Sequence, residues 1–297
     1  MDKIKNRIKC IQQRIQKGVG KRKAVILVSG GIDSSVCAVI SSRILPNRLF
    51  PVYIRTGFNL DKEEENLIRL FNKLGIAVKV SKKETYYFKK LSNIENPIKR
   101  RYTFGVISLK IIAKYAKSVN ANVLINGVNK NDIITSNIIN SYFRRAKDVR
   151  EVLGLRLVEP ISDLYKTEIK EIAGEIGLKD LIHKQHIPGP ALSIRIAGKI
   201  TKQKLALLKG VNEFLDNKVG KDKRFWQYFP FLLDEKLDNK YLTVLRFVSS
   251  KEGFEAQAIY DDILMKSLAR TILKKFPDIG RVFFDISPKP PVTIEFM

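Results

Sequence analysis

Short apolar runs that stop at glycine, each followed by a helix-like stretch, recur through the first half of the chain. No other feature constrains its fold as strongly. Ala24 to Val28 ends in Ser29-Gly30-Gly31, Phe50 to Ile54 runs toward Gly57, and Val123 to Asn126 stops at Gly127. Ile76 to Val80 and Leu157 to Pro160 have the same character. Continuous apolar runs of this length are strands buried on both faces. Between them, Val36 to Leu45, Asp61 to Leu74, Tyr102 to Ser118 and Lys166 to Ile176 read as helices, the second and fourth closed by Gly75 and Gly177. The alternation predicts an α/β fold with a doubly wound parallel sheet. Ligands of such sheets bind beyond the carboxyl ends of the strands, the edge on which Gly30, Gly31, Gly57 and Gly127 fall.

The rhythm breaks at His186-Ile187-Pro188-Gly189-Pro190. Beyond it, helical stretches (Lys202 to Leu215, Tyr260 to Lys274) mix with strand-like ones (Tyr241 to Val248, Val282 to Ile286). Two domains are expected, 1–189 and a smaller α+β domain over 190–297. The composition, 44% hydrophobic and 29% charged, excludes a disordered or fibrous chain. No apolar run reaches the ~20 residues that span a bilayer. Residues 2–19, with Ile4, Ile8, Ile11 and Ile15 at helical spacing, form a basic amphipathic helix without the apolar core of a secretory signal. A cytoplasmic location is expected. Two cysteines, Cys10 and Cys37, and two histidines, His183 and His186, are too few for a disulfide framework or a zinc finger. The 55 Lys and Arg against 30 Asp and Glu leave +25. That charge suits polyanionic partners, tRNA among them, or reflects a Lys-rich composition spread along the chain.

The sharpest motif is Ser29-Gly30-Gly31-Ile32-Asp33-Ser34-Ser35, between a strand and a helix. Glycines let the backbone approach a phosphate, and amides at the helix N-terminus cradle it. Ser34 and Ser35 add hydroxyls. Asp33 would repel phosphate unless a cation such as Mg²⁺ lay between them. A Gly-Gly turn with a helix cap is the plainer alternative. The string lacks the Gly-Lys-Ser/Thr ending of a Walker A loop.

This string resembles the pyrophosphate (PP) loop of N-type ATP pyrophosphatases, and further strings resemble the synthetase part of GMP synthases. These are Glu95-Asn96-Pro97 with Arg101 and Gly105, Leu157-Val158-Glu159-Pro160 with Leu164 and Lys166, and Pro188-Gly189-Pro190 with Arg195. The most specific is Asp285-Ile286-Ser287-Pro288-Lys289-Pro290-Pro291-Val292-Thr293-Ile294-Glu295. The resemblance implies an AMP-forming ligase. The O2 of xanthosine monophosphate attacks the α-phosphate of ATP, pyrophosphate leaves with Mg²⁺, and ammonia displaces AMP to give GMP. It implies ATP binding by Ser29, Gly30, Gly31, Asp33, Ser34, Ser35, Gly57 and Gly127, with Asp33 facing Mg²⁺ and Lys166 on the phosphates. Arg101, Lys289 and Glu295 would grip the nucleotide acceptor. The glutaminase half found in fused members is missing, so ammonia would arrive free or from a separate subunit. Family members pair through the C-terminal domain, which implies a homodimer.

The chain departs from the family pattern in several places. Ile54-Arg55-Thr56-Gly57 stands where Val-Asp-x-Gly is usual. Residues 129–152 offer Arg144, Arg145 and Lys147 in place of the lid histidines. Leu237-Asp238-Asn239-Lys240 replaces a longer stretch, and Ala191 replaces the last glycine of Pro-Gly-Pro-Gly. Two other readings therefore stand beside the first: a tRNA-modifying enzyme that adenylates a base, and a non-catalytic nucleotide-binding paralogue. The sulfur-transfer version of the former lacks its cysteine pair. Several residues keep a structural alternative. Arg101 could lie on a solvated helix face with Lys99 and Arg100, Glu159 could cap its strand, and Lys289 and Glu295 could be a surface lysine and a terminal acid. Cys37 reads as a buried small hydrophobe, and Trp226, Tyr228 and Arg224 as a base-stacking group or a core anchor.

Overall fold

The computed structural model describes residues 2–138, 153–182, 185, 187–251 and 253–296. The chain divides into two compact units. The first comprises Met1–Thr56, Lys62–Lys83 and Gly105–Lys184, and the second Gly57–Asp61, Glu84–Phe104 and Gln185–Met297. The lid positions Arg144, Arg145 and Lys147, and both histidines, lie outside the described residues.

The first unit is built on a parallel five-stranded sheet, as the alternation predicts. Its strands are β1 (Ala24–Leu27), β2 (Leu49–Arg55), β3 (Lys79–Lys82), β4 (Val123–Ile125) and β5 (Arg156–Val158), in the order β3-β2-β1-β4-β5. Alternate residues of each strand enter different cores. Ala24, Ile26, Tyr53, Val123 and Ile125 pack in one, with helices α1 (Asp2–Val19), α2 (Ile32–Ile44), α3 (Glu63–Lys73) and α7 (Lys166–Glu175). Val25, Val52 and Leu124 pack in the other, with Leu109, Ile112 and Ala116. Those three belong to α5 (Pro97–Ser118), the sixth helix in chain order being α6 (Lys130–Ile138). Because both faces are covered, the central strands β1 and β4 are apolar throughout and show no inside–outside alternation, whereas the edge strand β3, Lys79 to Lys82, is polar at both ends. Chain order reverses between β1 and β4, the switch point at which such sheets open a ligand crevice.

One strand begins later than its apolar run. Gly75, at φ +69°, donates to the Asn72 carbonyl at 3.0 Å, and Ile76 donates to Phe71 at 2.9 Å. This pair of bonds is a Schellman closure of α3, so Ile76 finishes the helix and β3 starts only at Lys79.

In the second unit β6 (Gln227–Leu237) pairs antiparallel with β7 (Lys240–Ser249). β8 (Gln257–Ala258) pairs with the end of β7, and β9 (Ile279–Asp285) runs parallel to it. The helices are α4 (Glu84–Leu91), the start of α5 as far as Phe104, α8 (Lys202–Val219) and α9 (Asp262–Lys275). Asp238 and Asn239, with φ of +51° and +61°, form a two-residue hairpin turn between β6 and β7. Asn and Asp tolerate such angles, and turns of this hand match the twist of a hairpin, which accommodates the shortened stretch. β6 carries Pro230, and lies at the outside of the sheet order, where a missing N–H breaks no ladder on both sides.

Candidate active site

β1 leads directly into the phosphate-loop motif. Val28 still donates to the Val52 carbonyl at 2.9 Å, then Gly30 turns the chain at φ +84° and Gly31 becomes the N-cap of α2. A glycine cap offers no side-chain acceptor to the amides of the first helical turn, which is the arrangement that receives an anion. The hydroxyls of Ser34 and Ser35 both donate to the Gly31 carbonyl, at 3.1 and 2.8 Å. Ser34 Oγ also receives the Ser29 amide at 3.2 Å. These serines knit the loop to its helix.

Asp33 and Lys166 meet at this loop. Lys166 Nζ donates to Asp33 Oδ2, while Asp33 Oδ1 is buried without a hydrogen-bond partner. A buried, orphaned carboxylate oxygen is costly, and a hard cation satisfies it well. Among the described residues no group of three or more His, Cys, Asp or Glu could hold a metal alone. The residues therefore fit an ion carried in part by substrate phosphates. Lys166 is set at the first residue of α7, where its amide donates to Asn131 Oδ1 at 3.0 Å. Gly127, just after β4, presses on the same helix start: a Cβ there would lie 2.9 Å from Ser34 N and 3.0 Å from the Asp33 carbonyl carbon. Asn126 donates to Glu159 Oε1 at 3.2 Å, linking the ends of β4 and β5. Arg55, the cation in place of an acid, donates its Nε to Glu64 Oε2 at 2.7 Å and its Nη2 to Oε1. Its charge is thus balanced at the start of α3.

Arg101, Lys289, Glu295 and Gly57 belong to the second unit. Glu295 is almost wholly buried, and Arg195 grips both its oxygens, Nε to Oε2 at 3.0 Å and Nη2 to Oε1 at 2.7 Å. Gln227 adds a bond to Oε1 at 2.9 Å. The Arg195 guanidinium lies 4.2 Å over the Phe229 ring. Lys289 exchanges backbone hydrogen bonds with Ala256, and its Nζ donates to the Gly253 carbonyl at 2.6 Å. Burial lowers its pKa. Gly57 has φ +83° and packs on Glu84.

The motif Glu95-Asn96-Pro97 contains a surprise one residue before Arg101. Arg100 is fully buried, not part of a solvated face. It donates to the carbonyls of Ile94 (2.8 Å), Ser193 (2.6 Å), Ile196 (2.6 Å) and Gly198 (2.6 Å). Burial pulls its pKa down to about 10, so it stays charged at neutral pH. Arg224 pairs with Asp222 and Asp261 on the surface, while Tyr228 is buried with its hydroxyl on Asp216 at 2.7 Å, a core anchor. Cys37 is buried, and burial first, then Asp33, raises its pKa.

Two family models match the chain. The NAD synthase family model matches residues 3–197, and the GMP synthase C terminal domain model matches 215–296. The chain is 34% identical over 299 residues to a subunit of the glutamine-hydrolyzing GMP synthase of Methanococcus vannielii, covering 95% of each. Its likeness to the same subunit from Archaeoglobus fulgidus is 32% over 303 residues, 99% of this chain and 98% of that one. The Thermococcus kodakarensis counterpart is 32% identical over 296 residues, 96% of each. The chain belongs to this family of GMP synthase subunits.

In this chain the loop, Asp33, Lys166 and Gly127 come together, while Arg101, Lys289 and Glu295 belong to the other unit. Arg195 was legible only as part of the Pro-Gly-Pro segment, and Gln227 carried no signal. Arg100 and Glu63 sit in runs of like charge, which read as solvated.

Proposed function

We propose that this chain is the ATP pyrophosphatase subunit of a two-subunit GMP synthase, joining xanthosine monophosphate to ammonia at the expense of ATP. Family membership supports the ligase class, and the phosphate loop at the sheet's switch point carries the reading. The first-turn amides of α2 would take the pyrophosphate of ATP. Asp33 would hold Mg²⁺ through its orphaned oxygen, and the ion would neutralise charge on the departing pyrophosphate. Lys166, which lies against Asp33 at the loop, would supply a positive charge to the phosphates. What these residues do is position and stabilise charge. Lys289 and Arg101 would meet the acceptor nucleotide. Glu295, with three of its acceptor sites already engaged by Arg195 and Gln227, has room for about one more hydrogen bond.

Ammonia would come from a separate glutaminase subunit in the cytoplasm. A homodimer is supported by exposed apolar side chains in the second unit: Ile263 at 83% exposed, Ile286 at 67% and Phe283. An RNA acceptor is the second reading, favoured by the +25 charge. The test is pyrophosphate release by the isolated chain with Mg·ATP, an ammonium salt and either xanthosine monophosphate or tRNA. Release that needs the mononucleotide, is indifferent to glutamine and yields GMP supports the proposal. Release stimulated by tRNA alone sinks it.

A further inference from the structure

The phosphate loop has a neighbour outside its own motif. Glu63, the first residue of α3, is only 6% exposed although it carries a carboxylate. It packs on Gly30: a Cβ there would lie 2.7 Å from Glu63 Oε1 and 3.3 Å from its Cγ. Gly30 is held at φ +84°, a conformation that only glycine adopts without strain. The acid fills the volume that a side chain at position 30 would take, so turn and carboxylate interlock. The N-terminus of α3 favours an acid at Glu63. Yet an anion buried behind an anion-binding loop opposes phosphate electrostatically. The negative charge is felt locally: the buried Tyr53 hydroxyl has its pKa raised by burial first, then by Glu63 and Glu64. What Glu63 offers the loop is therefore shape and an acceptor oxygen, not charge.

We propose that Glu63 is a positioning residue of the phosphate loop: seated against Gly30, it holds the left-handed turn that aims the first-turn amides of α2. The inference rests on the assignment of that loop to the pyrophosphate of ATP. It is absent from the loop motif because it lies about thirty residues away, across β2.

The experiment measures Mg·ATP, Mg·pyrophosphate and AMP binding to the full chain by calorimetric titration. Glu63→Ala leaves the turn unsupported, and a loop displaced by a fraction of an ångström should weaken Mg·ATP and Mg·pyrophosphate by about tenfold. AMP, which lacks the β- and γ-phosphates, should bind as before. Glu63→Gln keeps size and an acceptor oxygen and removes the opposing charge, so it should bind at least as tightly as wild type. Gly30→Ala drives its new Cβ onto Glu63, so Gly30→Ala with Glu63→Ala should bind no worse than Gly30→Ala alone. Unchanged Mg·ATP affinity in Glu63→Ala overturns the proposal, as does an equal loss for AMP. So does a Glu63→Gln variant as weak as Glu63→Ala, or losses that multiply in the double variant. Wild-type protein that fails to bind Mg·ATP removes the assignment of the loop itself, a different result from wild-type binding that Glu63→Ala leaves intact.

Discussion

Gly127→Ala is a perturbation whose size can be worked from the structure. The new methyl carbon would lie 2.9 Å from Ser34 N, 3.0 Å from Asp33 C and 3.1 Å from Asp33 O. Carbon contacts settle at roughly 3.5–4.0 Å, so the start of α2 and the end of β4 must separate by about half an ångström. All three atoms are backbone, and no rotamer change relieves them. Gly127 has no positive φ to strain, so the effect is steric. Overpacking of this kind costs about 1–3 kcal/mol of stability. Its functional cost is separate: a 1 Å misplacement costs about a hundredfold in rate, so half that should weaken Mg·ATP engagement by about tenfold. Urea unfolding and calorimetric titration of the same preparation read both numbers. A variant that binds Mg·ATP like wild type, with unchanged stability, would falsify the packing of β4's exit on the phosphate cradle.

Asp33→Asn should weaken Mg²⁺-dependent ATP binding far more than metal-free binding, because only the former uses the orphaned oxygen; equal losses would count against the metal role. Lys289→Ala should raise the KM for the acceptor mononucleotide by at least ~10-fold, about 1.4 kcal/mol, and leave that for ATP alone. A tRNA acceptor would show little change, since many phosphate contacts share the load. Burial lowers the Lys289 pKa, so between that lowered value and the ordinary 10.5 the unfolded chain binds more protons. Stability from this group should rise with pH through that alkaline window, and Lys289→Met should lose the rise in urea titrations against pH. A rise that survives the substitution would assign it to another group.

The parallel sheet and the loop were legible because the central strands β1 and β4 are apolar throughout and lead into glycines that no other residue replaces cheaply. β6 was not: Pro230 interrupts it, and its last turn of sequence, Asp234-Glu235-Lys236, is polar because that end of the strand is exposed. Arg100 was hidden by its neighbours, for three consecutive cations describe a solvated face unless one knows that four carbonyls wait for the middle one. The grip of Arg195 on Glu295 joins residues a hundred positions apart, and no local pattern encodes such a pairing. Ser34 and Ser35 stand where the motif puts them, and their bonds to the Gly31 carbonyl carry no local signal, since a hydroxyl suited to phosphate suits a nearby carbonyl equally well.

That grip also bears on how the protein is made. Residues of the first unit end at Lys184, so a ribosome has delivered every strand of its sheet before the second unit has its C-terminal segments. The second unit waits for residue 295. Until Glu295 emerges, Arg195 has no carboxylate, and its segment has no reason to bury a guanidinium. Chain ends usually tolerate trimming. Here, loss of residues 295–297 would strand a buried charge at a cost of about 3–5 kcal/mol. A message broken just ahead of codon 295 would therefore yield a finished first unit attached to a second unit that cannot close.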